Sequence, residues 1–254
     1  MGTDSNRPLH GRVALVTGAA GGIGRAIAAA LIADGAQVLA VDVRPDPAGP
    51  GVAFEADLCD EQANAACVAA AVERFGRLDI VVAGAGIQHV AAVQEFPVAR
   101  WRTMLDLMVT SPFLLARAAW PALRESGSGR FIALGSTHSL IGSPYKSAYT
   151  AAKHGVLGLV KSLALEGARD GIAATAVCPG YVRTPLVEGQ IADQAAAHGV
   201  PENEVLESVI LAPQAVKELI EPEEVADLVA FLAGPRGRRF TGVPVTMDQG
   251  WTAA

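Results

Sequence analysis

At 254 residues the chain is longer than most domains but within the range of single α/β domains. It is 51% hydrophobic and 18% charged, which supplies the material for one large core. The net charge of −6 argues against a dedicated nucleic-acid binder, and no apolar run approaches the ~18–20 residues of a membrane span. Cys59, Cys67 and Cys178 are odd in number and lack ligand-like spacing, so no disulfide framework is expected and a cytoplasmic setting is.

The opening ten residues are polar and predict a disordered leader, with one domain over residues 11–254. Val13–Thr17 predicts a first strand, followed by a Gly-rich turn and a helix to about Ala33. Gln37–Val41 and Val52–Phe54 predict the next two strands. A helix over Asp60–Phe75 follows, with Asp60 placed to cap its free N–H groups. Leu78–Val82 is the fourth predicted strand, and a long helix runs from about Val98 to Leu123. Phe131–Leu134 is the fifth strand, with a helix from about Ser147 to Glu166 after it. Ala173–Val177 and Val243–Met247 complete seven strands.

The strands do not alternate in polarity, and helices separate most of them. That pattern predicts a doubly wound α/β domain of Rossmann type, a seven-stranded parallel sheet with helices on both faces. The segment 181–220 interrupts the rhythm; it is rich in Ala, Glu and Gln and broken by Pro201 and Pro213. So long an insertion in a compact domain predicts a flap over a binding site.

TGAAGGIG, at Thr17–Gly24, joins the first strand to the first helix. Gly18 permits a tight turn, while Gly22 and Gly24 let backbone and helix approach a pyrophosphate at a helix N-terminus. Asp42 ends the second strand about twenty residues farther on. A carboxylate there accepts hydrogen bonds from the adenosine ribose and repels a 2′-phosphate, favouring NAD over NADP. Arg44 stands close by and leaves the phosphorylated form open. Asp57 and Leu58, after the third strand, are placed to bound the adenine pocket, although a solvated turn has the same pattern.

Carbonyl–alcohol interconversion needs a group that moves the alcohol proton near neutral pH. Tyrosine ionises near pH ~10 and requires help, which a lysine one helical turn away supplies. Of the three tyrosines only Tyr149 has a lysine, Lys153, four residues on. Ser136 sits thirteen residues upstream at the end of the fifth strand, placed to hydrogen-bond a substrate oxygen.

With TGAAGGIG, Ser136, YTAAK (Tyr149–Lys153) and PGYVRTPL (Pro179–Leu186), the chain resembles the short-chain dehydrogenase/reductase family over about residues 11–252. The resemblance implies that Tyr149 is the acid/base and that Lys153 lowers its pKa and holds the nicotinamide ribose. It implies that Ser136 polarises the carbonyl and that Val182 and Thr184 contact the carboxamide. Ile23, Gly84, Pro179 and Gly180 fall in the implied cofactor cleft, a homotetramer is implied, and no metal is expected.

Within that family AGIQH (Ala85–His89), STHSLIGSPYKSAYTAAKHG (Ser136–Gly155), the run Pro179–Ala195 and the terminal Gly250-Trp251 are similar to bacterial D-3-hydroxybutyrate dehydrogenases. That resemblance assigns the carboxylate of a small hydroxy or keto acid to Gln88, His138, Lys146 and Gln190. A short acid offers little apolar surface, so charge-assisted hydrogen bonds must orient it. Each residue alone also fits a plainer role: Lys146 as a solvated loop lysine, His138 as a loop cap. A dehydrogenase for a different hydroxy acid or secondary alcohol, and a catalytically weakened nucleotide-binding scaffold, stay open as alternatives.

Two positions depart from the family pattern. Ala83-Gly84-Ala85-Gly86 replaces Asn-Asn-Ala-Gly, losing amides that brace the sheet and border the cofactor. Met108 stands where the family has a catalytic asparagine whose carbonyl holds a relay water and whose side chain supports a helix kink. A proton relay is therefore expected only if the kink persists.

Overall fold

The computed structural model describes residues 7–253. Seven parallel strands lie in the order β3-β2-β1-β4-β5-β6-β7. They are β1 (Val13–Thr17), β2 (Gln37–Asp42), β3 (Val52–Glu55), β4 (Ile80–Ala83), β5 (Arg130–Leu134), β6 (Ala173–Pro179) and β7 (Pro244–Met247). The central strands β1, β4, β5 and β6 are buried at every position because both faces are covered. Along β1, Val13 and Leu15 pack into one core, while Ala14 and Val16 pack into the other.

The first core lies under α2 (Glu61–Phe75), α4 (Ser111–Glu125) and α5 (Ser147–Gly167), which follow one another along the chain with α3 (Val98–Leu105) leading into α4. On the other face α1 (Gly22–Ala33) pairs with the last helix, Pro222–Ala233, through Ile27, Leu31, Val225 and Val229. Asp60 caps α2 as its sequence predicts, its Oδ1 accepting from the N–H groups of Gln62 at 2.7 Å and Ala63 at 2.9 Å.

Two features differ from the sequence expectation. The expected leader covers residues 1–10, of which 1–6 lie outside the described residues. Residues 7–10 form a turn, Leu9 is fully buried, and its N–H donates to the Asp34 carbonyl at 2.9 Å. Leucine gains too much by leaving water to remain in a solvated tail.

The long central helix is also interrupted. Between α3 and α4, Asp106–Thr110 forms a π-turn in which the Ser111 N–H reaches back to the Asp106 carbonyl. The kink therefore persists with methionine at position 108. Such one-turn bulges widen a helix locally and recur at functional sites.

The segment 181–220 contains α6 (Pro185–Glu188), α7 (Ile191–His198), α8 (Glu202–Val205) and a second π-turn, Leu206–Ile210. It has its own small core, in which Tyr181, Val187, Val205 and Ile210 meet Trp251. A parallel bridge between Val182 and Ile220 ties its two ends together. The helix Pro222–Ala233 that follows is α9.

Candidate active site

Strand order reverses between β1 and β4, which opens a crevice at their carboxyl ends. The glycine turn forms one wall. Gly18 and Gly22 have φ of +71° and +51°, and a Cβ on Gly24 would collide with the Gly18 carbonyl oxygen. Only glycine gives this close packing of turn and helix, and it leaves the start of α1 bare for an anion.

Opposite that turn, the Thr17 hydroxyl accepts from the N–H groups of Gly84 at 2.9 Å and Ala85 at 3.2 Å. It thereby braces β1 to the end of β4 where the family's amides are absent. A Cβ on Gly84 would lie 2.8 Å from the Thr17 carbonyl oxygen, so this packing needs glycine there.

Asp42 lies beside the glycine turn, its carboxylate accepting from the N–H groups of Ala20 and Arg44, each at 3.1 Å. Arg25, another cation near this turn, is paired with Asp46. Asp57 accepts from the Cys59 N–H at 3.0 Å in a local turn. Leu58 is buried in the core against β1 and α2 and lines neither of the two cavities described next.

The deeper part of the crevice is a cavity of about 100 Å³. Ile23, Gly84, Pro179, Gly180, Val182 and Thr184 line it together with Tyr149 and Lys153. Ser136, Tyr149, Gly180, Leu186 and Val187 are shared with an adjoining cavity of about 50 Å³. All six of Gln88, Ser136, His138, Lys146, Tyr149 and Gln190 face this second cavity. Tyr181, Leu186, Val187 and Trp251 complete its walls, and sequence reasoning assigned none of these four a role. Their signal was weak, although a chain with three tyrosines and three tryptophans places two tyrosines and one tryptophan here.

Local structure places each polar group. Ser136 caps the short turn Thr137–Ser139: its Oγ accepts from the His138 N–H at 3.2 Å, while Ser139 Oγ accepts from the Ser136 N–H at 3.1 Å. The Ser136 hydroxyl and the Tyr149 phenol face the same cavity. Tyr149 and Lys153 share one face of α5, with Lys153 Nζ 5.4 Å from the phenol ring centroid. Nζ donates to the Leu134 carbonyl at 2.6 Å, at the end of β5.

Burial drives the phenol of Tyr149 up to about 12 against the opposing pull of Ser136, and it brings Lys153 down to about 8. At neutral pH the phenol is protonated here.

Lys146 is no solvated loop lysine. It is 2% exposed and opens α5, its carbonyl accepting from the Thr150 N–H at 2.9 Å. The preceding Tyr145 is held at φ +63°, a conformation unusual for a bulky residue, and its carbonyl is pinned by the Ala91 N–H at 3.0 Å. That turn sends Lys146 inward, where Nζ donates to the Tyr181 hydroxyl at 2.9 Å. Burial lowers Lys146 to about 8.

Two more polar atoms in this cavity are buried without a partner among the described residues. They are His138 Nε2 and Gln190 Oε1. Burial and then the nearby Lys146 hold His138 neutral, down to about 3. Gln190 Nε2 is anchored to the Leu186 carbonyl at 2.6 Å, and Gln88 Oε1 accepts from the His89 N–H at 2.9 Å. The Trp251 ring stacks on Tyr181 and meets His138 edge-on, forming an aromatic side wall.

Met108 is buried beside this site with Met104, Ala148 and Ala152 and packs against Tyr149. Its Sδ lies 3.4 Å from where a Cβ on Gly86 would be. Among the described residues no helix is long and apolar enough to cross a membrane.

Comparison with known proteins agrees with this geometry. The sequence profile of the short chain dehydrogenase family matches residues 12–195. A D-beta-hydroxybutyrate dehydrogenase of Rhizobium meliloti is 40% identical, over 95% of this chain and 99% of that protein. One of the same name from Cupriavidus necator is 39% identical, over 96% and 99%. A cis-4-hydroxycyclohexanecarboxylate dehydrogenase of Sinomonas cyclohexanicum is 36% identical, over 95% and 97%. With the profile covering most of the sheet and relatives aligning end to end, the chain belongs to the short-chain dehydrogenase family, oxidoreductases that use a nicotinamide nucleotide.

Proposed function

We propose that the protein interconverts a short 3-hydroxy acid and its keto acid, with (R)-3-hydroxybutyrate and acetoacetate as the pair and NAD as the cofactor. One observation carries the substrate: the Lys146 ammonium is buried in a cavity of about 50 Å³ with no carboxylate lining it. A buried cation beside His138 Nε2, which has no partner among the described residues and donates as the Nε2–H tautomer, suits an acid that brings the missing negative charge. Two relatives named for hydroxybutyrate and one named for a cyclic hydroxy acid also act on hydroxy acids by name. The small cavity favours the four-carbon acid over the ring.

The residues fit a nicotinamide nucleotide. The glycine turn leaves room that a Cβ would fill, and the Asp42 carboxylate beside that turn favours NAD because it would repel the extra phosphate of NADP. Arg25 is engaged with Asp46, which supports NAD. Ile23, Gly84, Pro179, Gly180, Val182 and Thr184 would flank the nicotinamide, with Lys153 and Tyr149 on its ribose. When bound, the nicotinamide ring accepts or returns the hydride on the substrate's reacting carbon.

Lys146 Nζ, Gln88 Nε2 and His138 Nε2–H hold the carboxylate end, joined by Gln190 once its amide turns Nε2 from the Leu186 carbonyl into the cavity, and so fix the hydroxyl against Ser136 and Tyr149. Ser136 Oγ accepts from the His138 N–H and lies 3.4 Å from His138 Nδ1, so its proton donates to the substrate oxygen once it turns from that ring nitrogen. Ser136 then steadies the substrate oxygen while the Tyr149 Oη proton moves. Tyr149 as found is ready to give a proton to a carbonyl. The reverse direction needs phenolate, which the nearby Lys153 charge favours once Nζ turns from the Leu134 carbonyl.

The test compares dinucleotide reduction by wild type and Lys146→Ala, with 3-hydroxybutyrate and with butan-2-ol. Loss of activity of about a hundredfold or more on the acid alone is expected. Equal activity of both proteins on the acid rejects the substrate assignment.

A further inference from the structure

The sheet presents this site at its carboxyl end, yet the opposite end gathers arginines. Arg12 precedes β1, Arg130 opens β5, and Arg238 and Arg239 lie in the 3₁₀ turn Pro235–Arg239 that leads toward β7. Register brings these leads together, since Arg130 pairs with Ala173 at the start of β6, and β6 pairs with β7. A cleft of about 370 Å³ opens there, with Arg130, Arg238 and Arg239 on its wall beside Gly127, Gly171 and Thr241.

Arg130 is only 3% exposed. Its Nη1 donates to the carbonyls of Ser128 and Gly129, each at 3.0 Å, and its Nη2 to that of Gly234 at 3.2 Å. Its Nε is buried and has no partner among the described residues. Arg12 Nη1 shares the Ser128 carbonyl at 3.1 Å. Carbonyls satisfy these protons without cancelling the charge.

Among the described residues none of the four arginines is in an ion pair. Asp79, beside the start of β5, is taken by Arg77 and the Val13 N–H. Asp170, next to Gly171, accepts from the Trp120 indole at 2.8 Å. Burial first, then the charges of Arg12 and Arg238, bring Arg130 down to about 10.

A buried guanidinium without a counter-charge costs stability, and three arginines line this cleft with no carboxylate on its wall. A purely structural role, bolting the Gly234 loop to β5, explains the Nη bonds of Arg130. It leaves its Nε unpartnered, and it leaves Arg238 and Arg239 on the same cleft unexplained.

We propose that this cleft binds an oxyanion of the phosphate class, either inorganic phosphate or the phosphoryl group of a small metabolite. The planar forks of arginine match phosphate oxygens, and the open cleft admits a substituent on one of them. The site is separate from the glycine turn, which lies at the other end of β1.

Thermal unfolding in phosphate, in glycerol 3-phosphate and in chloride of matched ionic strength tests this. For a millimolar site, ~10 mM phosphate raises the wild-type Tm by roughly 3–5 °C over chloride. The double variant Arg238→Ala/Arg239→Ala changes only exposed side chains and should lose most of that rise. Because the glycine turn also suits phosphate, any shift that both proteins share belongs to the turn. A larger rise with glycerol 3-phosphate identifies a metabolite phosphoryl group, and a larger rise with phosphate identifies the free ion. Equal shifts in wild type and variant, or a chloride effect as large as that of phosphate, overturn the proposal. Should the double variant express poorly, Arg239→Ala alone allows the same comparison. The measurement does not depend on dehydrogenase turnover, so its failure leaves the hydroxy-acid reading intact.

Discussion

The Lys146 ammonium and the Tyr181 hydroxyl meet 2.9 Å apart, which fixes a buried charge on the wall of the cavity that Tyr149 also lines. A hydrogen bond to a charged group is worth about 1.5–3 kcal/mol. Tyr181→Phe keeps the stacking on Trp251 but frees the ammonium to wander. Steady-state kinetics should give a KM for the hydroxy acid raised roughly tenfold, with kcat little changed.

The same lysine sets a pH dependence. Burial lowers its pKa from the ordinary lysine value to about 8, so the cation is present below that pH and is lost as pH rises through it. KM for the hydroxy acid should be flat up to about pH 8 and then climb about tenfold per pH unit. Lys146→Arg, which stays charged, should remove the climb even if its KM is higher throughout.

Met108 fills the space between α5 and Gly86, and the π-turn around it survives without an asparagine. Met108→Asn should restore a hydrogen-bonding side chain to the kink and raise turnover. It should also lower stability by ~1–3 kcal/mol, because the amide enters an apolar cluster. A slower asparagine variant would count against any role of this position in proton relay. Turnover and chemical denaturation measured on the same preparation separate the two effects.

Gln249 adopts φ +54°, and its side-chain Oε1 is buried without a partner among the described residues. Its carbonyl accepts from the Ala215 N–H at 2.9 Å, so the surrounding chain holds the strained conformation in place. Glycine removes both penalties at the cost of a more flexible unfolded chain. Gln249→Gly should stabilise the fold by about 1 kcal/mol, read as a Tm rise of roughly 2–4 °C.

Much of this was legible in the sequence where one local pattern decides the outcome. Residues 13–16 are apolar throughout because their strand is covered on both faces, and the Tyr149–Lys153 spacing follows from helix geometry. What escaped depends on distant packing. Asp106–Thr110 has the composition of the helix around it, and only its contacts with α5 and Gly86 accompany the wide turn. Leu9 looked like part of a polar tail because the surface it covers, α1 and its end at Asp34, comes later in the chain. Tyr181 and Trp251 face one cavity only after the segment 181–220 folds back on itself, so neither position alone marks a binding wall.

The account stands or falls on the phenol of Tyr149. Reduction of NAD by 3-hydroxybutyrate, measured for wild type and Tyr149→Phe at saturating dinucleotide, should fall by ~10³-fold or more in the variant, with dinucleotide binding retained. A variant that keeps its rate within about tenfold of wild type contradicts the assignment of proton transfer to this residue.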